Sequence, residues 1–200
     1  MNDHYFSKKP KVESNRKTFQ YKLKNNVLLF ITDSGVFSKK EVDFGTRLLI
    51  ETFTAPDIEG DILDVGCGYG PIGLAIAKTE PHRTVDLIDI NERAVELAYL
   101  NAKANGISNV RIFQSNLFEN IGAKKYAAIL TNPPIRAGKQ TVHEIFEKSY
   151  DHLKANGELW IVIQKKQGAP SALKKLQSLF RTVERMERQK GYFILKAKKD

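Results

Sequence analysis

The run Ile62-Leu63-Asp64-Val65-Gly66-Cys67-Gly68-Tyr69-Gly70 constrains this chain more than any other segment. A short apolar strand ends in three glycines, and Ile72 to Lys78 then reads as a helix. Pro71 is acceptable in its first turn, where an N–H has no helical partner. Glycines at such a junction let the backbone turn tightly and approach a ligand closely. Strand and helix alternate from there on. Val85 to Ile90 reads as a strand, and Asn91 as the cap of a helix that runs to about Asn105 and stops at Gly106. Val110 to Gln114, Ala127 to Thr131 and Glu158 to Ile163 read as further strands, with helices at about 142–154 and 171–179. The alternation predicts an α/β domain: a Rossmann-like, mostly parallel sheet with helices on both faces. Two last strands, near 182–188 and 192–197, are joined so tightly across Lys190-Gly191 that they should be antiparallel.

Upstream, Phe19–Leu23 and Val27–Thr32 read as an N-terminal β-hairpin turning at Asn25-Asn26, since asparagine tolerates positive φ. A helix is expected from Leu48 towards Pro56. Residues 1–17 are polar, basic and without periodicity, which suggests a mobile arm ahead of a single domain spanning 18–200.

The carboxylates around the glycines narrow the ligand. Gly68, Gly70 and Gly73 also satisfy a dinucleotide fingerprint. Asp64, however, lies where a pyrophosphate would be repelled and a cationic amine attracted. Asp89 ends the next strand, about twenty residues beyond the last glycine, where a carboxylate accepts both hydroxyls of a ribose. Asn116 follows the third strand and is placed to reach an adenine edge. These features favour S-adenosylmethionine over NAD, with Asp64, Gly66, Cys67, Gly68, Gly70, Asp89, Ile90, Asn116 and Asn132 as candidate cofactor contacts. The competing reading makes Asp64 and Asp89 helix-capping carboxylates. Cys67 reads as a small filler of the turn, not a nucleophile.

Asn132-Pro133-Pro134-Ile135 begins where the fourth strand of the alternating series stops, on the same edge of the sheet. An amine conjugated to a base ring is a poor nucleophile because its lone pair is delocalised. Acceptors placed out of the ring plane draw its two N–H groups towards a tetrahedral arrangement and free the lone pair. The side-chain oxygen of Asn132 and the carbonyl of Pro133 suit that task, since proline stiffens the turn and has no N–H. Asn-Pro is also a common strand-terminating turn. Next to a cofactor signature, the pattern points to methyl transfer onto nitrogen, with Asn132, Pro133, Pro134 and Ile135 as the catalytic segment. Arg136 and Lys139 follow closely and could hold phosphates of a substrate RNA; His143 could as well be a plain helix residue.

Charge bears on the partner. The net charge is +9, with nine Lys/Arg against three Asp/Glu in residues 1–40 and fourteen against seven in residues 139–200. Residues 41–138, which hold the glycine turn, are acidic, with nine against thirteen. Basic flanks are a footprint for nucleic acid, though solvated lysine-rich faces look the same. With one cysteine, no internal disulfide and no cysteine metal cluster can form. The chain shows no secretory signal and no membrane-spanning run, so a cytoplasmic location is the default.

Taken together, these residues resemble the small-domain class I methyltransferases related to the catalytic half of the RsmC-like small-subunit ribosomal RNA guanine-N2 enzymes. Gly35-Val36-Phe37-Ser38, Asp43-Phe44-Gly45-Thr46, Leu63 to Gly70, Asp89, Ser115-Asn116 and Asn132 to Lys139 carry the likeness, which runs from about Phe19 to Lys198. It implies a seven-stranded sheet, S-adenosylmethionine, and an exocyclic guanine amine of 16S ribosomal RNA or the small ribosomal subunit as acceptor. It also implies that Thr46 lies near the methionine end of the cofactor. Ile135 departs from the pattern, since many nitrogen methyltransferases carry an aromatic ring there. The competing readings are the same chemistry on a DNA adenine or a protein glutamine amide, a cofactor-binding ribosome assembly factor without turnover, and an NAD oxidoreductase. Oligomeric state is not legible in the sequence.

Overall fold

The computed structural model describes residue 8, residues 12–38 and residues 40–200. Two strands, β1 (Lys17–Leu23) and β2 (Asn26–Thr32), form an antiparallel hairpin. After α1 (Phe44–Thr52) come β3 (Ile62–Val65), α2 (Pro71–Thr79), β4 (Val85–Asp89), α3 (Glu92–Ala104) and β5 (Val110–Gln114). β6 (Tyr126–Thr131), α4 (Lys139–His152), β7 (Leu153–Gln164), α5 (Ala169–Leu179), β8 (Thr182–Gln189) and β9 (Tyr192–Lys198) complete the chain. The seven-stranded sheet has the order β5-β4-β3-β6-β7-β9-β8, parallel throughout except for β9, which runs antiparallel to both its neighbours. The expected Rossmann-like sheet, its antiparallel last strand and the preceding hairpin are all present.

Alternation of side chains across the central strands builds two cores. On one face Ile62, Leu87, Ala128, Leu130, Trp160 and Val162 pack with α1, α2, α3 and the hairpin. On the other Leu63, Val65, Ile88, Ile129, Ile161 and Ile163 pack with α4 and α5. Because strands buried on both faces have no polar side, they read in sequence as continuous apolar runs.

Strand β2 would be left with unpaired backbone groups beside α3, and two asparagines one helical turn apart satisfy them. Asn101 accepts from the Ile31 N–H (2.6 Å) and donates to the Ile31 carbonyl (2.9 Å); Asn105 does the same for Leu29 at 2.8 and 2.7 Å. The hairpin is thereby fastened to the helix that borders the glycine turn.

Three boundaries differ from the sequence reading. The hairpin turns at Lys24-Asn25, both with positive φ (45° and 64°), while Asn26 already pairs with Leu23. Helix α1 starts at Phe44, since the Asp43 carboxylate caps it by accepting from the Thr46 N–H (3.1 Å). Asn156-Gly157 does not separate α4 from β7; Asn156 takes φ 61° and the strand continues through an irregularity, pairing Leu153 with Tyr126 and Glu158 with Ala128. Of the segment expected to be a mobile arm, residues 1–7 and 9–11 lie outside the described residues. Just before β1, Ser14 Oγ and the Asn15 N–H both donate to the Asp33 carboxylate, at 2.7 and 2.5 Å. Among the described residues no helix is long and apolar enough to cross a membrane.

Candidate active site

Strand order reverses between β3 and β6, and open α/β sheets hold ligands outside the carboxyl ends of their strands at such a point. Val65 and Thr131 are paired across it, and the Thr131 hydroxyl donates to the Val65 carbonyl (2.9 Å). The next residues, Gly66 and Asn132, therefore leave the sheet side by side. Above them opens a cleft with about 1070 Å³ of empty space counted out to its mouth.

One wall is the glycine turn. Gly66 and Gly68 adopt φ of 73° and 57°, and a Cβ on either would project into open space. Gly70 (φ 96°) is not on the wall; it starts α2, and a Cβ there would press on Leu74 at 2.9 Å. Cys67 lines the cleft with a buried thiol, and burial pushes its pKa well above the usual range. It stays protonated and is no nucleophile. Asp89 follows at the end of β4. One of its oxygens accepts from the Gly68 N–H (2.8 Å) and the other from the Asn91 N–H (2.8 Å). A carboxylate has about four acceptor sites, so lone pairs remain for a ligand. Burial nevertheless raises its pKa to about 6. Ile90 and Asn116 also line the cleft, Asn116 donating to Glu119 at 2.7 Å.

Asp64 lies beneath this wall and does not line it. Its Oδ2 accepts from the Gly73 N–H (2.8 Å), while Oδ1 is buried with no hydrogen-bond partner. Burial raises the carboxyl pKa to about 7. A buried acceptor without a donor is rare in folded proteins.

The opposite wall is Asn132-Pro133-Pro134. Asn132 Nδ2 donates to Thr46 Oγ1 (2.9 Å), which ties the end of β6 to the first turn of α1 across 86 positions of sequence. With its nitrogen so anchored, the amide presents Oδ1 away from Thr46, and no described hydrogen bond uses that oxygen. The Ala137 N–H takes the Pro134 carbonyl (2.9 Å), whereas the Pro133 carbonyl is engaged by no described group. Ile135 begins a short 3-10 turn and lines an adjoining crevice with Lys139 and His143, between α4 and α5. Arg136 and Lys139 are exposed and stand outside the main cleft. Burial, with the nearby Lys139 and Lys175, lowers the His143 pKa.

Val36 and Phe37 from the loop after β2, and Thr141 and Ile145 from α4, are among the other lining residues. Sequence reasoning gave these four no role. Val36 and Phe37 lay within a segment of family likeness; Thr141 and Ile145 carry no signal beyond helical spacing.

These groups fit S-adenosylmethionine: an open glycine cradle, a carboxylate with spare acceptors for a ribose diol, and an unpartnered buried oxygen near the place of a cationic amine. The comparisons agree. Residues 27–196 match the profile of the methyltransferase small domain family. A Bacillus subtilis (strain 168) protein named "Uncharacterized protein YbxB" is 62% identical over the whole length of both chains. The ribosomal RNA small subunit methyltransferase C of Psychromonas ingrahamii is 38% identical over 73% of this chain and 42% of its own length. That of Vibrio parahaemolyticus is 35% identical over 82% and 48%. The chain thus spans about half the length of these two relatives. Among solved structures, the Thermus thermophilus 16S rRNA N2 G1207 methyltransferase, in complex with AdoMet and guanosine, superposes with a TM-score of 0.82 at 22% identity. It covers 96% of this chain and 52% of its own. Fold, profile and relatives converge: the chain belongs to the methyltransferase small domain family, as an RsmC-like class I methyltransferase that uses S-adenosylmethionine.

Proposed function

We propose that this protein methylates the exocyclic N2 amine of a guanine in 16S ribosomal RNA. The observation that carries the reading is the Asn132–Thr46 hydrogen bond, which commits the amide nitrogen and leaves the oxygen for an acceptor amine. The relatives named as small-subunit ribosomal RNA methyltransferases support the choice of substrate.

Bound S-adenosylmethionine supplies a methyl group on a positively charged sulfur. The chain's own contribution is placement and polarity. Asp89 takes the ribose hydroxyls, and the Asp64 carboxylate beneath the glycine turn, when ionised, favours the cationic methionine amine by charge and not by contact. Asn132 Oδ1 and the Pro133 carbonyl accept the two N–H groups of the guanine amine. That arrangement turns the nitrogen lone pair out of the ring plane towards the methyl carbon. Held there, the guanine nitrogen would be aligned to take the methyl group that the cofactor's sulfur gives up, and its surplus proton would be lost to water. No side chain in the cleft needs to act as a general base. Pro133 and Pro134 keep the two acceptors in a fixed relation, and Ile135 offers an aliphatic flank where an aromatic ring would stack more strongly.

Asn132→Ala tests the assignment. Removing one oriented polar group at the reacting atom typically costs about 10²–10³ in rate. We expect that loss in single-turnover transfer to RNA, with S-adenosylmethionine affinity changed by no more than a few fold. Turnover at the parent rate would remove Asn132 from the mechanism.

A further inference from the structure

Some cations of the described surface are neutralised by carboxylates and others are not. Near the amino end of the sheet, Arg111 and Lys124 each reach Asp61 and Asp86, at 2.6–3.6 Å. Near the carboxyl end, at the β8–β9 turn, others are held by rings. Arg185 and Arg188 lie over Phe193, at 5.3 and 5.7 Å from its centroid. Lys190 and Arg47 lie over Phe44, at 4.8 and 5.1 Å. None of these four forms an ion pair among the described residues. An aromatic face positions a cation through its quadrupole but carries no net charge. Four positive charges are thus held over rings outside any described ion pair, with two carboxylates nearby: Glu187, which accepts from the Arg188 N–H, and Glu51, in the same crevice as Arg47.

The patch is continuous with the cleft. Phe44 is two residues from Thr46, and its ring stands 5.6 Å from that of Tyr192. Tyr192 in turn packs so closely on Gly45 that a Cβ there would meet the ring at 2.9 Å. Gln164, Tyr192 and Gln189 are in register, which sets the β8–β9 turn level with the carboxyl end of β7, the neighbour of β6. The Lys165 N–H donates to the Gly191 carbonyl (2.8 Å), fastening the exposed Lys165-Lys166 pair to the same turn.

We propose that this end of β8 and β9 is a phosphate-binding ledge for the single-stranded RNA that leads to the acceptor nucleotide. The inference rests on an RNA substrate and adds the face that holds it. Single-stranded RNA is the fitting occupant, because a guanine N2 becomes accessible for transfer in an unpaired segment. A net-positive surface with aromatic rings is the usual composition of such tracks.

The test uses the full chain, a fluorescein-labelled oligouridylate and a salt titration. This probe lacks guanine, so its binding reports the ledge and not the acceptor pocket. For single strands the slope of log Kobs against log salt changes by about 0.7 per phosphate contact. Arg188→Gln with Lys190→Gln should make it shallower by about 1.4. Lys78→Gln with Lys103→Gln removes the same charge from exposed positions on α2 and α3 and should leave the slope unchanged. Equal slopes in parent and ledge variant would overturn the proposal, as would an equal loss in the control pair. So would failure of the parent to bind oligouridylate while it binds polyglutamate, which would mark the face as a site for an acidic protein. Binding through the ledge without methylation of any RNA would sustain the ledge and contradict the guanine reading alone.

Discussion

Replacing Thr46 by valine should slow methyl transfer without loosening the cofactor. Thr46 is buried in the first turn of α1, and valine keeps its shape, so packing is preserved. Helix propensity is close for the two residues and cancels. What valine removes is the acceptor for Asn132 Nδ2 at 2.9 Å. A net hydrogen bond is worth about 0.5–1.5 kcal/mol, and a buried donor left without a partner costs about 1–3 kcal/mol. If that loss falls on the orientation of the Asn132 amide, the transfer step should slow by roughly 5- to 160-fold. Single-turnover transfer of labelled methyl to RNA would read the rate, and isothermal titration the cofactor affinity. Thr46→Ser restores the hydroxyl and should recover most of the rate. The reasoning fails if valine leaves the rate unchanged, or if serine is as slow as valine. A weakened cofactor with an intact rate would instead make Thr46 a cofactor contact, the role that family likeness alone implies.

Two further substitutions probe the cofactor wall. Asp89→Ala removes a carboxylate that already holds the Gly68 and Asn91 N–H groups, and it should weaken S-adenosylmethionine at least about tenfold, the loss of one charge-assisted hydrogen bond; unchanged affinity by titration would show that the ribose is held elsewhere. Asp64→Asn tests the buried carboxyl through pH. The folded pKa of about 7 lies above the unfolded value of 3.8, so the native state binds the extra proton and loses stability as pH rises from about 4 to about 7. Without cofactor, the variant should therefore gain stability relative to the parent between about pH 4 and pH 7 in denaturant titrations, with a constant difference above that range. Parallel curves would mean that Asp64 ionises freely.

Much of the fold was legible because strands buried on both faces are short apolar runs, and because Asn91, Gly106 and the glycine turn punctuate them. Helix α1 was placed late for a physical reason. Gly45 is a poor helix former and masks the first turn, yet only glycine lets Tyr192 lie against that turn. Its cap, Asp43, was present in the sequence but meant little without knowing that Thr46 is helical. At the site, Asp89, Asn116 and Asn132 could be placed by counting from strand ends, since the carboxyl ends of parallel strands share one edge. What counting could not supply is direction. Asp64 and Gly70 sit in the same run as Gly66 and Gly68, but the turn buries the first two and exposes the others to the cleft. Nor does any local pattern link Thr46 to Asn132, or Phe44 to Lys190; those pairs meet because α1 packs across the sheet over β7 and β9.

The most direct test of the central claim is to incubate the protein with labelled S-adenosylmethionine and small-subunit RNA, bare and in particles, then separate the nucleosides by mass spectrometry. The account predicts label in N2-methylguanosine and its loss with Asn132→Ala. Label in another nucleoside, or none from a protein that binds the cofactor, would contradict it.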